Sequence, residues 1–157
     1  MVTASPQAAA WYRRAQRAAS PSRATEALRL AVTADPGFAL AAADLAALTG
    51  TPGRPPGRRP MNWERHHIEV VSAAAAGHLT RASDLLREHL ASTGCDPLAF
   101  RVTARLGGPA VRDDLADLAS QLPGCHATPW PGSPPGQSQD PGTERAGGAR
   151  TRRSRGD

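Results

Sequence analysis

Apolar residues recur along the first 122 positions at the three- and four-residue steps that place side chains on one face of an α-helix. In the stretch before Asp35-Pro36, for example, apolar residues share one side while Arg23, Glu26 and Arg29 lie on or near the other. No run alternates with the two-residue period of a strand. The pattern, interrupted at Pro, Gly and Ser, predicts seven helices, over about residues 6–19, 22–34, 38–48, 62–76, 80–91, 97–106 and 110–122.

Two segments lack this periodicity. Residues 51–60 read Thr-Pro-Gly-Arg-Pro-Pro-Gly-Arg-Arg-Pro and predict a solvated linker. After Leu122 the chain is dominated by Pro, Gly, Ser, Thr and Arg, with Trp130 as a lone bulky apolar residue. So little apolar surface cannot offset the entropy of ordering the segment. We therefore predict a helical domain over residues 1–122 and a disordered tail over residues 123–157.

The heptapeptide pattern Arg-Ala-[Thr/Ser]-[Glu/Asp]-x-Leu-Arg occurs twice, at residues 23–29 and 81–87, and Asp-Pro follows each copy. A helical unit that repeats within one chain usually stacks on its neighbours and buries a shared apolar face. The first copy resembles the tetratricopeptide repeat. Its helix has the small, large, small and Pro residues of that family at the family's spacing, in Ala24, Leu28, Ala31 and Pro36.

The helix after the first copy supplies Leu45-Ala46 where the family has a Leu-Gly or Leu-Ala pair. The second copy departs from the repeat at His89, where a small residue is expected, while Gly77 and Ala82 still match. The segment 63–67, Trp-Glu-Arg-His-His, resembles a divergent bacterial group of the same family. Over about residues 20–106, the resemblance implies antiparallel helix-turn-helix pairs, as in a short α-solenoid, and a surface that binds a protein or peptide.

Charge narrows the choice of partner. The chain of 157 residues has a net charge of +5, and all 19 of its basic residues are Arg, a bias typical of GC-rich genomes. Within residues 1–122, 14 Arg alternate with 11 acidic residues. A nucleic-acid-binding face concentrates its basic charge in a patch or stripe, so this interleaving argues against nucleic acid as the partner.

Four arginines stand at equivalent places in the two heptapeptides, namely Arg23, Arg29, Arg81 and Arg87. If the two units stack, their guanidinium groups form a row that binds a carboxylate or an acidic peptide through bidentate hydrogen bonds. The alternative is an ordinary solvated surface on which these arginines pair with local Glu and Asp. We take the four residues as the candidate partner-binding site.

His66, His67 and Glu69 are the cluster that most invites a catalytic interpretation. His66 and Glu69 lie three positions apart, so a helix would place both on one face as possible metal ligands. A third ligand would have to come from Glu64, His67 or His89. The chain contains no HExxH motif, no GxSxG elbow and no Gly-rich phosphate loop after a strand. We therefore predict no catalytic residue, no metal, no cofactor and no small-molecule substrate.

Cysteine usage and hydropathy bear on the cellular compartment. Cys95 and Cys125 lie 30 residues apart without zinc-site spacing, so neither a metal site nor a disulfide framework is expected. No apolar run reaches the ~20 residues that span a bilayer, and the N-terminus lacks a signal-peptide core. A cytoplasmic protein without membrane contact is the prediction.

The function favoured at this point is a non-catalytic protein–protein interaction module or scaffold. One alternative is a small metal-binding hydrolase that uses His66, His67 and Glu69. A second is a truncated fragment of a longer repeat protein, in which a frame change near residues 122–125 would explain the abrupt loss of pattern.

Overall fold

The computed structural model describes residues 4–51, 59–122, 125 and 127–131, and within these residues the regular structure is entirely helical. The all-α prediction is confirmed. The predicted linker and tail lie mostly outside the described residues, at 52–58 and 132–157. The described helices are α1 (Pro6–Gln16), α2 (Pro21–Ala34), α3 (Ala39–Thr49), α4 (Asn62–Ala75), α5 (Leu79–Thr93) and α6 (Pro97–Gln121).

Three helices begin with a side-chain cap followed by proline. The side chains of Ser5, Ser20 and Asp96 accept hydrogen bonds from backbone N–H groups of the first turns of α1, α2 and α6. Proline at the first position then fits because its missing N–H would have no helical partner there. The starts of α1 and α6 agree with the prediction.

The first helix is shorter than its sequence pattern suggests. It ends at Gln16 rather than at Ala19. The backbone carbonyls of Gln16 and Ala18 instead accept hydrogen bonds from the Arg101 guanidinium of α6, at 2.9 and 3.2 Å. A cation at a helix C-terminus satisfies carbonyl groups that have no partner within the helix.

Consecutive helices pack against each other as hairpins, and α6 also contacts α1, α3 and α4. The two heptapeptides lie in α2 and α5 with the same pattern of burial. Ala24 and Leu28 of the first copy and Ala82 and Leu86 of the second are fully buried. The arginines that begin and end each copy are exposed. Both segments are therefore amphipathic helices, and small residues on the buried side allow close helix packing.

The last helix is interrupted at the Gly-Gly pair where the sequence predicts a turn. Gly108 has φ 73° and ψ −168°, a conformation that is essentially restricted to glycine. At Gly107 a Cβ atom would lie 2.5 Å from Cβ of Val111, so that position has no room for a side chain. Pro109 then starts the second half of α6 without needing a helical hydrogen-bond partner.

The expectation that the cysteines form no disulfide is wrong, because Cys95 and Cys125 are disulfide-bonded. Residues 127–131, which we call the C-terminal strap, lie against the helices beyond this bond. Trp130 is 3 % exposed, and its indole Nε1 donates to the carbonyl of Ala18 at 2.9 Å. Arg101 Nε donates to the carbonyl of Thr128 at 2.9 Å. Trp130, assigned to the tail from sequence, is thus part of the core.

Two large apolar side chains are exposed among the described residues, Leu30 and Trp63, at 38 % each. A tryptophan in a helix with Ile68 and Val71 is expected to pack in the core, but Trp63 is exposed. The buried face of α4 is formed by Glu64, His67, Val70 and Val71 among others. Within the described part of the chain, no helix has both the length and the apolar character that a bilayer-spanning segment requires.

Candidate functional site

Five polar side chains from five different elements meet in the interior. We call this set the buried polar centre: Tyr12 of α1, Asp44 of α3, His67 of α4, His89 of α5 and Asp96 at the N-cap of α6. Four of them are buried, and the Asp96 side chain is 11 % exposed. Buried polar groups are costly unless they are hydrogen-bonded, so their mutual contacts decide what this centre can do.

The contacts form one continuous chain of hydrogen bonds. The Tyr12 hydroxyl donates to Asp44 Oδ2 at 2.9 Å, and Asp44 Oδ1 lies 2.9 Å from His67 Nε2. On the other side of the imidazole, Nδ1 lies 2.7 Å from Asp96 Oδ2, which also accepts from His89 Nε2 at 3.0 Å. The His67 ring therefore has a carboxylate oxygen on each of its two nitrogen atoms.

This arrangement favours a charged imidazole. Burial alone lowers the pKa of His67, but the carboxylates of Asp44 and Asp96 raise it well above its usual value. Burial is the largest single effect on Asp96 and raises its pKa. The charge and hydrogen bond of His67, together with the hydrogen bonds from His89 and the backbone of Ala99, outweigh burial and lower the pKa overall. His67 thus donates from both nitrogens, and Asp96 is an ionised acceptor.

For Asp44 and Tyr12, the other two shifted groups of the centre, burial is the largest effect on the pKa. Burial raises the pKa of Asp44. The charge and hydrogen bond of His67 and the hydrogen bond from Tyr12 only partly oppose that effect. The pKa of Tyr12 is raised well above its ordinary value by burial and then by the negative charges of Asp44, Asp96 and Glu64. The Tyr12 phenol is therefore a neutral donor to Asp44.

Helix periodicity explains how these residues reach the interior. In α3, Asp44 lies three positions after Ala41 and three before Ala47, on the same buried face. In α4, His67 lies three positions before Val70 and is likewise buried. The signal in the sequence is a single charged residue inside an otherwise Ala- and Leu-rich helical face. Sequence reasoning passed over it at Asp44, and it did not consider Asp96 as a member of a site.

The histidine cluster predicted from sequence is divided between two places. His67 belongs to the buried polar centre. His66 lies 3.7 Å from Glu88, measured from Nε2 to Oε2, and Glu69 is exposed. His66 and Glu69 both line a surface groove between α4 and the end of α5, about 760 Å³ in volume. The three residues do not form one ligand set.

A second candidate site is an open groove between α1 and α2, about 850 Å³ in volume, which we call the arginine groove. Four exposed arginines line it, and Glu26 is the one acidic residue of its lining. Trp11 and the exposed Leu30 supply apolar surface, and the Arg14 guanidinium lies 5.3 Å from the centre of the Trp11 ring. The four arginines are Arg13, Arg14, Arg17 and Arg23.

The predicted row of four arginines is only partly represented in this groove. Arg23 lines it, whereas Arg29 and Arg81 are exposed elsewhere. Arg87 lies 3.3 Å from both Asp84 and Asp114, so its guanidinium already bridges two carboxylates. Sequence reasoning missed Arg13 and Arg17, although their four-residue spacing places them one helical turn apart on one face.

One group of side chains among the described residues has the geometry to hold a metal ion. His67, His89 and Asp96 each offer one ligand atom, and the three atoms lie within 4.8 Å of one another. His89 Nδ1 and Thr103 Oγ1 are buried without a hydrogen-bond partner among the described residues.

Comparisons of the chain with protein-family models, with curated proteins and with solved structures found no match. The chemistry of both sites is therefore inferred from their own residues and geometry.

Proposed function

We propose that the chain is a non-catalytic protein-interaction module, similar in type to a tetratricopeptide-repeat module, and that the arginine groove binds an acidic peptide segment of a partner protein. The observation behind the proposal is the lining of this groove, in which four exposed arginines face one glutamate beside apolar surface. Guanidinium groups recognise carboxylates through paired, charge-assisted hydrogen bonds.

The groove also favours a particular kind of acidic peptide. Trp11 and Leu30 offer apolar surface next to the arginines, and exposed apolar surface rimmed by polar residues commonly marks a protein contact. The Arg14 guanidinium lies within cation–π distance of the Trp11 ring, so charge and apolar surface are adjacent in this groove. We therefore expect a segment with several carboxylates around one large apolar residue to bind better than a purely acidic one.

The test is a titration of the full chain against a short fluorescent peptide that carries four Glu residues around one Leu. In a variant with Arg13→Gln and Arg17→Gln, we expect binding to weaken by at least tenfold. A hydrogen bond to a charged group contributes about 1.5–3 kcal/mol, and 1.4 kcal/mol corresponds to a factor of ten. Added salt should weaken the wild-type binding as well.

The matched control carries Arg29→Gln and Arg81→Gln. It loses the same charge from exposed positions outside the groove and should bind the peptide within about twofold of wild type. Equal weakening in both variants would indicate general electrostatic attraction and contradict the proposed groove. A single-stranded oligonucleotide of equal charge is the competing ligand, and tighter binding of that oligonucleotide than of the peptide would also reject the proposal.

We further propose that the protein acts in the cytoplasm. The Cys95–Cys125 disulfide favours a different location, because disulfides persist mainly in oxidising compartments and are rare in the cytoplasm. Alkylation of free thiols in protein taken directly from host cells decides between the two. Two free thiols support a cytoplasmic location, and a fully blocked pair contradicts it.

A further inference from the structure

Three side chains that could bind a metal ion lie close together in the interior, and the proposed peptide binding does not use any of them. Asp96 Oδ2 lies 2.7 Å from His67 Nδ1 and 3.0 Å from His89 Nε2. The three atoms come from α4, α5 and the N-cap of α6, and each lies within 4.8 Å of the others. Zinc in proteins binds imidazole nitrogen and carboxylate oxygen at about 2.0–2.2 Å. An ion bound to all three atoms takes the place of the two hydrogen bonds that Asp96 Oδ2 makes with the ring nitrogens.

Neighbouring groups orient His67 and Asp96, two of the three ligands, and His67 is held by a carboxylate. Asp44 Oδ1 accepts from His67 Nε2, which leaves Nδ1 of that ring directed at the site, and the Tyr12 hydroxyl fixes Asp44 in turn. Metal-binding histidines typically donate their other N–H to a carboxylate in this way, which raises the basicity of the ligand nitrogen.

Asp96 is oriented by the helix that it caps. Its Oδ1 accepts the backbone N–H groups of Leu98 and Ala99 at 3.2 and 3.1 Å. The other oxygen, Oδ2, is thereby directed toward His67 and His89. The carboxylate thus offers one oxygen, as expected for a monodentate ligand.

We propose that His67, His89 and Asp96 bind a divalent first-row transition ion, for which Zn²⁺ is the best match. Two imidazole nitrogens with one carboxylate oxygen suit zinc and its neighbours in that row, whereas calcium and magnesium prefer sets made of oxygen alone. On binding, the proton on His67 Nδ1 is released to solvent, and the proton on His89 Nε2 transfers to Nδ1 of the same ring, so that both rings bind as neutral imidazoles. Metal–ligand bonds then replace the hydrogen bonds of the two nitrogens to Asp96. The ion would join three helices and goes beyond the proposed peptide binding, which does not depend on it.

His66, which is near the surface, is an alternative place for the metal ion to bind. His66 pairs with the exposed Glu88, and its ring contacts the ring of His89 edge-on, with the centroids 5.6 Å apart. His66 also lines the groove at the surface between α4 and the end of α5. A surface site on His66 would have one imidazole ligand, whereas the buried site has two.

The experiment uses the full chain without a polyhistidine tag, stripped of metal with a chelator and then titrated with Zn²⁺ and with Co²⁺. We expect one equivalent to bind, a rise in the thermal midpoint with zinc, and a cobalt spectrum without thiolate charge transfer. X-ray absorption of the zinc complex should report two imidazole ligands and no sulfur. No high-affinity binding by the folded wild type, or a single imidazole ligand, overturns the proposal.

Two variants assign the ligands. Asp96→Asn keeps an N-cap oxygen but removes the anionic ligand, and His89→Gln removes one imidazole. Each should abolish one-to-one zinc binding while far-ultraviolet circular dichroism stays helical. Asp44→Asn, which changes only the support of His67, should weaken binding about 10- to 100-fold.

The control is His78→Gln, an exposed histidine at the start of α5, which should bind zinc as the wild type does. His66→Gln should do the same. Loss of binding in His66→Gln with retention in His89→Gln would place the ion at the surface and reject the buried site. If a ligand variant fails to fold, the ligand count from X-ray absorption on the wild type still decides.

Discussion

At the scale of single residues, the fold depends on where a few charged groups are buried. Asp44 is fully buried and Asp84 is exposed, although both occupy the middle of an Ala- and Leu-rich helix. Asp44 is tolerated inside because Tyr12 and His67 both donate to it. Removing one of these side chains strongly destabilises the folded protein, because the remaining charge stays buried without its partner.

Tyr12 allows this arrangement to be tested by pH. It is the single tyrosine, and the chain has no lysine, so few other side chains titrate on the alkaline side. The pKa of Tyr12 is raised above its ordinary value of about 10 by burial and by Asp44. Above about pH 10 the phenol of the unfolded chain loses its proton, while Tyr12 in the folded chain keeps it. The free energy of unfolding therefore falls as the pH rises.

We therefore expect the ultraviolet absorbance of tyrosinate to appear only at a pH well above 10, together with loss of helical circular dichroism. The decrease in stability should approach 1.4 kcal/mol per pH unit in that window. Tyr12→Phe should lower stability at neutral pH by about 1–3 kcal/mol and remove this alkaline dependence. An ordinary tyrosine titration in the folded protein would contradict the buried hydrogen bond to Asp44.

At the scale of helices, local signals in the sequence were reliable wherever a cap or a glycine decides the backbone. The Ser5-Pro6 and Asp96-Pro97 starts and the break at Gly107-Gly108 all follow from such signals. The buried face of α4 was less predictable. Trp63 is exposed there while Glu64 is fully buried, and Glu64 Oε2 accepts the backbone N–H of Met61 at the start of the helix.

The break in α6 gives a prediction about backbone strain. Gly108 has a positive φ of 73° with ψ near −168°, where a Cβ atom is strongly disfavoured. Gly108→Ala should lower the free energy of unfolding by about 1–3 kcal/mol in urea denaturation. Ala110→Ser, at an exposed position two residues later, should change it by no more than about 0.5 kcal/mol. An unchanged stability in Gly108→Ala would mean that α6 runs through this point without the break.

At the scale of the whole molecule, the two ends of the described chain are brought together. The C-terminal strap contacts the end of α1 through Trp130, and Arg101 of α6 donates to carbonyls of both. The strap follows Cys125, whose bond to Cys95 closes a loop with a sequence separation of 30 residues. In an extended solenoid each unit contacts only its neighbours, whereas here α6 contacts α1 directly.

These contacts between the strap and α1 predict that Trp130, near the end of the described residues, stabilises the first helix. Trp130→Phe removes the indole donor to Ala18 and part of a buried ring, and should cost about 1–3 kcal/mol. Trp63→Phe, the same change at an exposed position, should stay within about 0.5 kcal/mol. Thermal unfolding followed by circular dichroism compares the two. Equal effects would show that the strap does not hold the ends together.

Contacts between distant helices also test the alternative that the chain is an unstable fragment of a longer repeat protein. The buried polar centre draws on α1, α3, α4, α5 and α6, so these helices should unfold together in one cooperative transition. A gradual loss of helix in the same thermal scans would favour the fragment instead.

What the sequence determined by itself was local: the helical class, most helix starts, the Gly-Gly break and the exposed and buried faces of α2 and α5. These follow from periodicity, caps and glycine conformation, which act over a few neighbouring residues. Of the arginine groove, only Arg23 was predicted as a site residue. The spacing of Arg13 and Arg17 puts them on one face of α1, but their position opposite Arg23 depends on how α1 packs on α2. Only the tertiary structure brought Tyr12, Asp44 and Asp96 to His67, paired Cys95 with Cys125 and buried Trp130. Those contacts join residues 23 to 112 positions apart, and helix periodicity carries no information about which faces meet across such separations.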